Sequence, residues 1–186
     1  MLRYYPSHTQ VKGHHAGDYY LVVCTLYCLT CVLVSSANSL VNFEIIWAVF
    51  GWFSLAIMLR GESLLVRLQV LVAIMFATAG EFYASVYMGG YIYHHGGVPA
   101  YVPAGHGMVY LSAIALGRSA LLQNNARAIT VIVVIIGSIW SLWGLSASDH
   151  QTDITGALLF CIFLLCLLYG RNPMVYLGAF FVTSYL

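Results

Sequence analysis

Residues 64–89 read LLVRLQVLVAIMFATAGEFYASVYMG, and this stretch decides the architecture. Its 26 residues carry only two charges, Arg67 near the start and Glu81 toward the end. As a helix rising 1.5 Å per residue it spans about 39 Å, more than the roughly 30 Å of a bilayer's hydrocarbon core. Polar and apolar residues do not alternate along it, so it is not the strand of a membrane barrel. It reads as a transmembrane helix.

Moving outward, similar runs cover Tyr19–Ala37, Leu40–Leu59, His106–Leu122, Ala128–Leu145 and Ile154–Tyr169. A seventh, Met174–Leu186, holds 13 residues and rises only about 20 Å, so the last helix is expected to be incomplete. The whole chain agrees with these segments. Of 186 residues, 61% are hydrophobic and 7% charged, with a net charge of +1 and a mean hydropathy of +0.87. Soluble domains carry roughly 25% charged residues. Composition therefore excludes a soluble enzyme, a disordered chain and a nucleic-acid binder of the basic-patch kind. The expected fold is all-α, a polytopic transmembrane bundle of six to seven helices. Residues 1–18 form a cytoplasmic lead-in and residues 19–186 a single transmembrane domain.

Basic residues orient the bundle. With the N-terminus in the cytoplasm, Arg3, Lys12, Arg60, Arg67, Arg118, Arg127 and Arg171 all fall on or near the inner side. The connections around Ser39, Gly90–Gly105 and Ser146–Asp153 contain no Lys or Arg. The positive-inside rule then assigns a multi-pass protein of the plasma membrane, with membrane lipids as its surroundings. The longest connection, Tyr91–Gly105 on the outer side, is aromatic and uncharged, a composition suited to folding back into the membrane interface.

Glu81 is the sharpest chemical signal. An ionisable residue at membrane depth is expensive and by default marks function. Burial favours the neutral form of a carboxyl, and a neutral carboxyl can donate a proton. Ala73, Ala77, Gly80 and Ala84 recur at helical spacing beside it, a pattern that predicts close packing by another helix. His106 is the best candidate among the histidines, because it shares a helical face with Tyr110, Ala113 and Gly117. Glu81, His106 and Tyr110 are the candidate catalytic residues, and Tyr91, Tyr93, His94, His95 and Arg118 the candidate substrate-binding ones. Arg118 either snorkels to the inner interface or pairs with Glu81. Topology brings His94, His95, His106, Asp149, His150 and Asp153 to one side, where a metal ion could bind. None of them shows the spacing of a helical metal motif, so no metal ligand is assigned. Cys24, Cys28 and Cys31 form a stripe on the first helix and read as packing residues.

The segment Glu81–Tyr110 combines an intramembrane Glu, a G-x-Y-x-Y run (Gly90, Tyr91, Tyr93) and a V-P step. In this it resembles bacterial and archaeal carotenoid hydratase-type membrane proteins, an all-helical family acting on long isoprenoid chains. The resemblance implies that Glu81 protonates a double bond while Tyr91 and Tyr93 shape the chain pocket. The residues themselves leave three functions open. One is a membrane-embedded enzyme acting on a lipid or isoprenoid with Glu81 as general acid. The second is a non-catalytic subunit or assembly factor partnered by other membrane subunits, and the third a small proton or solute carrier.

Overall fold

The computed structural model describes residues 17–37, 44–90, 93, 97–146, 152–170 and 172–184. Their regular structure is entirely helical, with no strand among the described residues, as composition predicts. The elements are α1 (Asp18–Ala37), α2 (Glu44–Leu59), α3 (Leu64–Glu81), a π-helical turn (Phe82–Tyr87), α4 (Tyr101–Arg118), α5 (Ala120–Asn124), α6 (Ala126–Ser146), α7 (Ile154–Tyr169) and α8 (Pro173–Thr183). Two of them, Leu64–Tyr87 and Ala126–Ser146, are long and apolar enough to cross a membrane. The apolar helices Glu44–Leu59 and Ile154–Tyr169 have 16 residues each and rise about 24 Å, less than a full hydrocarbon core.

Local chemistry sets the helix boundaries. The Ser63 hydroxyl caps α3 by accepting from the Val66 N–H at 3.4 Å, and Asp153 caps α7 by accepting from the Gly156 N–H at 2.8 Å. Pro173 opens α8 at a position whose missing N–H would have no helical partner anyway. The carbonyls at the end of α2 and in the turn after it are met by one side chain. Arg67 donates to the Leu59, Arg60 and Glu62 oxygens, each at 3.0 Å. Both boundaries of one helix differ by several residues from its expected run. The fourth helix starts at Tyr101 rather than His106, because Pro103 falls within the first turn, where no N–H is needed. The same helix stops at Arg118, where Ser119 turns extended and caps the short α5 through the Leu122 N–H.

The residues group into two compact units, and the chain passes from one to the other within α4, at Ala113. The first unit, Tyr20–Ser112, holds most of α1, then α2, α3, the π turn and the beginning of α4. Its core includes Leu55, Val70, Ile74, Ala104, Met108 and Leu111. α4 presents Gly107 to α2 and α3: a Cβ there would meet Leu55 Cδ2 and Ile74 Cδ1, each at 2.8 Å. Close approach falls on Gly107, whereas Gly80 of the expected stripe is exposed with nothing within 4 Å of a built Cβ. A buried hydrogen bond from the Ser112 hydroxyl to Thr25 Oγ1, 2.8 Å, ties α4 to α1.

The second unit begins at Ala113 and includes Asp18 and Tyr19 from the start of α1. Leu122, Ala126, Val133, Leu167, Met174 and Leu177 form its core. Here the small residues of α4 find their partner in α8. A Cβ at Gly178 would run into the Ala113 carbonyl, and one at Gly117 would lie 3.1 Å from the Met174–Val175 peptide. Gly137 of α6 leaves the space that the Phe160 ring of α7 occupies. Phe163 packs on Phe180 with centroids 5.8 Å apart, joining α7 to α8.

Candidate functional site

The site lies in the Tyr20–Ser112 unit. Glu81 is the last residue of α3, immediately before the backbone widens into the π turn. π turns are rare and often accompany functional positions. This one is braced by the Ser85 hydroxyl, which donates to the Glu81 carbonyl at 2.7 Å. It closes with the Gly90 N–H donating to the Ala84 carbonyl at 3.0 Å, and between them Gly89 adopts φ +64°, a conformation that favours glycine.

Two side chains converge on the Glu81 carboxyl. The Tyr93 hydroxyl donates to Oε2 at 2.8 Å. His106 Nε2, from the second turn of α4, lies 3.3 Å from Oε1. That distance is ion-pair range, although the angle does not make a hydrogen bond and Nε2 is buried without one. The Glu81 side chain is 20% exposed and that of His106 29%, so the cluster is not sealed between helices. What it opens onto is a cavity of about 280 Å³. Its wall is mostly apolar, with Leu29, Val32 and Phe50 among its residues, while Glu81, Tyr93, His106, Tyr101 and Trp47 bring the polar groups. An apolar cleft with a few converging polar groups is the usual form of a small-molecule site.

Of the residues predicted from sequence, Glu81, His106 and Tyr93 come together. Tyr110 does not join them. One turn beyond His106, it lines a separate groove with Leu68, Val72 and Phe76. Arg118 belongs to the other unit, where its Nη2 donates to Asp18 Oδ1 at 2.9 Å. With its side chain 4% exposed, Arg118 does not snorkel outward. The pairing with Asp18 was not legible in the spacing, because the two residues lie 100 positions apart. Tyr91, His94, His95, Asp149 and His150 lie outside the described residues. Among the described residues, no three His, Cys, Asp or Glu side chains gather as a metal site. Cys28 is buried and lines the cavity wall, consistent with a packing role.

Neither Trp47 nor Tyr101 is among the site residues expected from sequence, yet both line the same cavity. In α2, Trp47 looks like one more apolar residue, and Tyr101 like part of an irregular loop. No protein-family model matches the chain, nor does any curated protein or solved structure.

Proposed function

We propose that the chain is a membrane-embedded enzyme acting on a lipid or isoprenoid chain, with Glu81 as its general acid. The observation that carries this reading is the Glu81–His106–Tyr93 cluster on the wall of an apolar cavity. Because the Tyr93 O–H donates to Oε2, that oxygen serves as an acceptor and the proton to be transferred is assigned to Oε1. His106 Nε2, 3.3 Å from Oε1, is placed to return a proton to it between turnovers. Catalytic hydrogen bonds commonly tighten only in the substrate complex, so the present angle between the two fits this role. The chain's double bond would take the proton from Oε1, and a water molecule would add to the cationic carbon that results. The proton this water releases would pass through His106 Nε2 back to Glu81, while the apolar wall holds the chain against the cluster. Cavities of about 150 Å³ accept a benzene ring, so about 280 Å³ accommodates a segment of roughly ten to twelve carbons.

The membrane setting belongs to this proposal: multi-pass, in the plasma membrane, with the N-terminus in the cytoplasm. The two longest apolar helices support it, since only 11% of the best window in Leu64–Tyr87 and 17% of that in Ala126–Ser146 are buried. A core helix of a soluble protein would be mostly covered. Phe76, Trp140 and Trp143 stand 82%, 67% and 63% exposed, a surface that favours lipid over water. The shorter helices are part of the same six-to-seven-helix arrangement, reaching across where the bilayer thins locally.

Deuterium labelling tests the chemistry. Purified protein in lipid nanodiscs is incubated in D₂O with an isoprenoid-rich lipid extract, and mass spectrometry follows deuterium fixed on chain carbons. Wild type is expected to fix it, and Glu81→Gln, which keeps shape and a donor but has no transferable proton, to do so about 10²-fold more slowly. If Glu81→Gln labels at the wild-type rate, or wild type does not label at all, the proposal fails. A Glu81 that only tied helices together would leave Glu81→Gln silent while Glu81→Leu lost about 0.6–2 kcal/mol of stability.

A further inference from the structure

Among the described residues of the Tyr20–Ser112 unit, three buried side-chain polar atoms lack a hydrogen-bond partner: Trp47 Nε1, Thr78 Oγ1 and His106 Nε2. His106 Nε2 is accounted for by its approach to Glu81. Trp47 is the informative one, because an indole N–H can only donate. Leaving such a donor buried and unmatched is costly, and folded proteins keep few of them. Packing does not require it. The ring sits edge-to-face on Phe50, centroids 6.0 Å apart, and a phenylalanine at position 47 could make a similar contact without the stranded N–H. Trp47 also lines the cavity that holds Glu81, so the residue with the unmatched donor borders the same chamber as the cluster.

A cavity serving a pure hydrocarbon gains nothing from a buried donor. We infer that its ligand carries an oxygen acceptor, a hydroxyl or carbonyl on an apolar chain, and that this oxygen takes the hydrogen bond of Trp47 Nε1. The inference rests on the reading of the cavity as a chain-binding site and adds to it the chemical class of the chain. Tyr101 sets a phenol on the same wall, a second group able to donate to that oxygen. The Trp47 N–H lies beneath the cavity surface, so engaging it takes a small rotation of the indole, a motion side chains make rapidly.

Two ten-carbon probes fit the cavity and differ in the feature at issue: geraniol, an isoprenoid alcohol, and myrcene, an isoprenoid hydrocarbon. Binding of each to the full chain in detergent is measured by tryptophan fluorescence and by the shift in melting temperature. Wild type is expected to bind geraniol about tenfold more tightly than myrcene, the factor one neutral hydrogen bond supplies. Trp47→Phe should weaken geraniol several-fold and leave myrcene unchanged, and a variant that binds both as wild type does overturns the inference. Equal affinity of wild type for the two probes overturns the inference, as does a Trp47→Phe variant that weakens both alike. Binding of neither overturns it together with the chain-site reading, whereas equal binding leaves that reading standing. If Trp47→Phe does not fold, the indole N–H proton resonance of Trp47, assigned with the other three tryptophans replaced by phenylalanine, decides. Geraniol should shift it and myrcene should not, and a resonance that geraniol leaves unmoved overturns the inference.

Discussion

Removing Asp18 should be among the most damaging single changes in this chain. Its carboxylate sits 2.9 Å from Arg118 Nη2, and the two side chains are 3% and 4% exposed. At that separation and an effective dielectric near 20, opposite charges attract by about 4–6 kcal/mol. Desolvation offsets much of this, so the pair's net worth is small, yet losing one member leaves the other charge buried without its counterion. Asp18→Ala is therefore expected to cost about 3–5 kcal/mol. For a chain of this size that lowers the melting temperature by roughly 6–20 °C, at about 2–4 °C per kcal/mol. Arg118→Met should cost less, because a carboxylate that loses this partner can take up a proton whereas a guanidinium cannot give one up. The double variant Asp18→Ala/Arg118→Met should then be more stable than Asp18→Ala alone. Thermal unfolding of the three variants in one detergent, followed by circular dichroism, checks the order. An Asp18→Ala protein melting within about 3 °C of wild type, or a double variant less stable than both singles, would refute the reasoning.

Two further outcomes concern packing and orientation. Gly178→Ala puts a methyl group against the Ala113 carbonyl, a backbone atom that cannot swing aside, and should cost about 1–3 kcal/mol in the same melting assay. Gly80→Ala meets nothing within 4 Å and should be neutral or gain up to about 1 kcal/mol from helix propensity. In a background with the five cysteines replaced, a cysteine at Gly97 should react with a membrane-impermeant thiol reagent added outside intact cells, and one at Gly61 should not. Both positions are exposed, so a difference reports the side of the membrane and not burial, and the reverse pattern would overturn the proposed orientation.

The helical class followed from composition and run length, which are local properties: an apolar run bonds its own backbone wherever it lies. Leu64 and Tyr169 emerge as helix ends where the runs begin and stop, because Ser63 caps α3 and the chain turns extended at Gly170. Glu81 also stood out locally, as the one acid deep in an apolar stretch. Spacing put Ala113 and Gly117 on one face of a helix, but only the tertiary structure decided that α8 packs against them. It likewise decided that Gly107, and not Gly80, takes the tight approach in the other unit. The partners of the chemistry were hidden in the same way. Tyr93 reaches Glu81 from 12 residues away, and Arg118 finds Asp18 across 100. Tyr110 shares the face of His106 by spacing, yet lines a different groove, because a helix face is broad enough to border two spaces at once. Trp47 carries no mark in its neighbours that its N–H is stranded on a cavity wall. Periodicity states which side of a helix turns inward, whereas the groups met there are set by long-range packing, where each contact depends on every other.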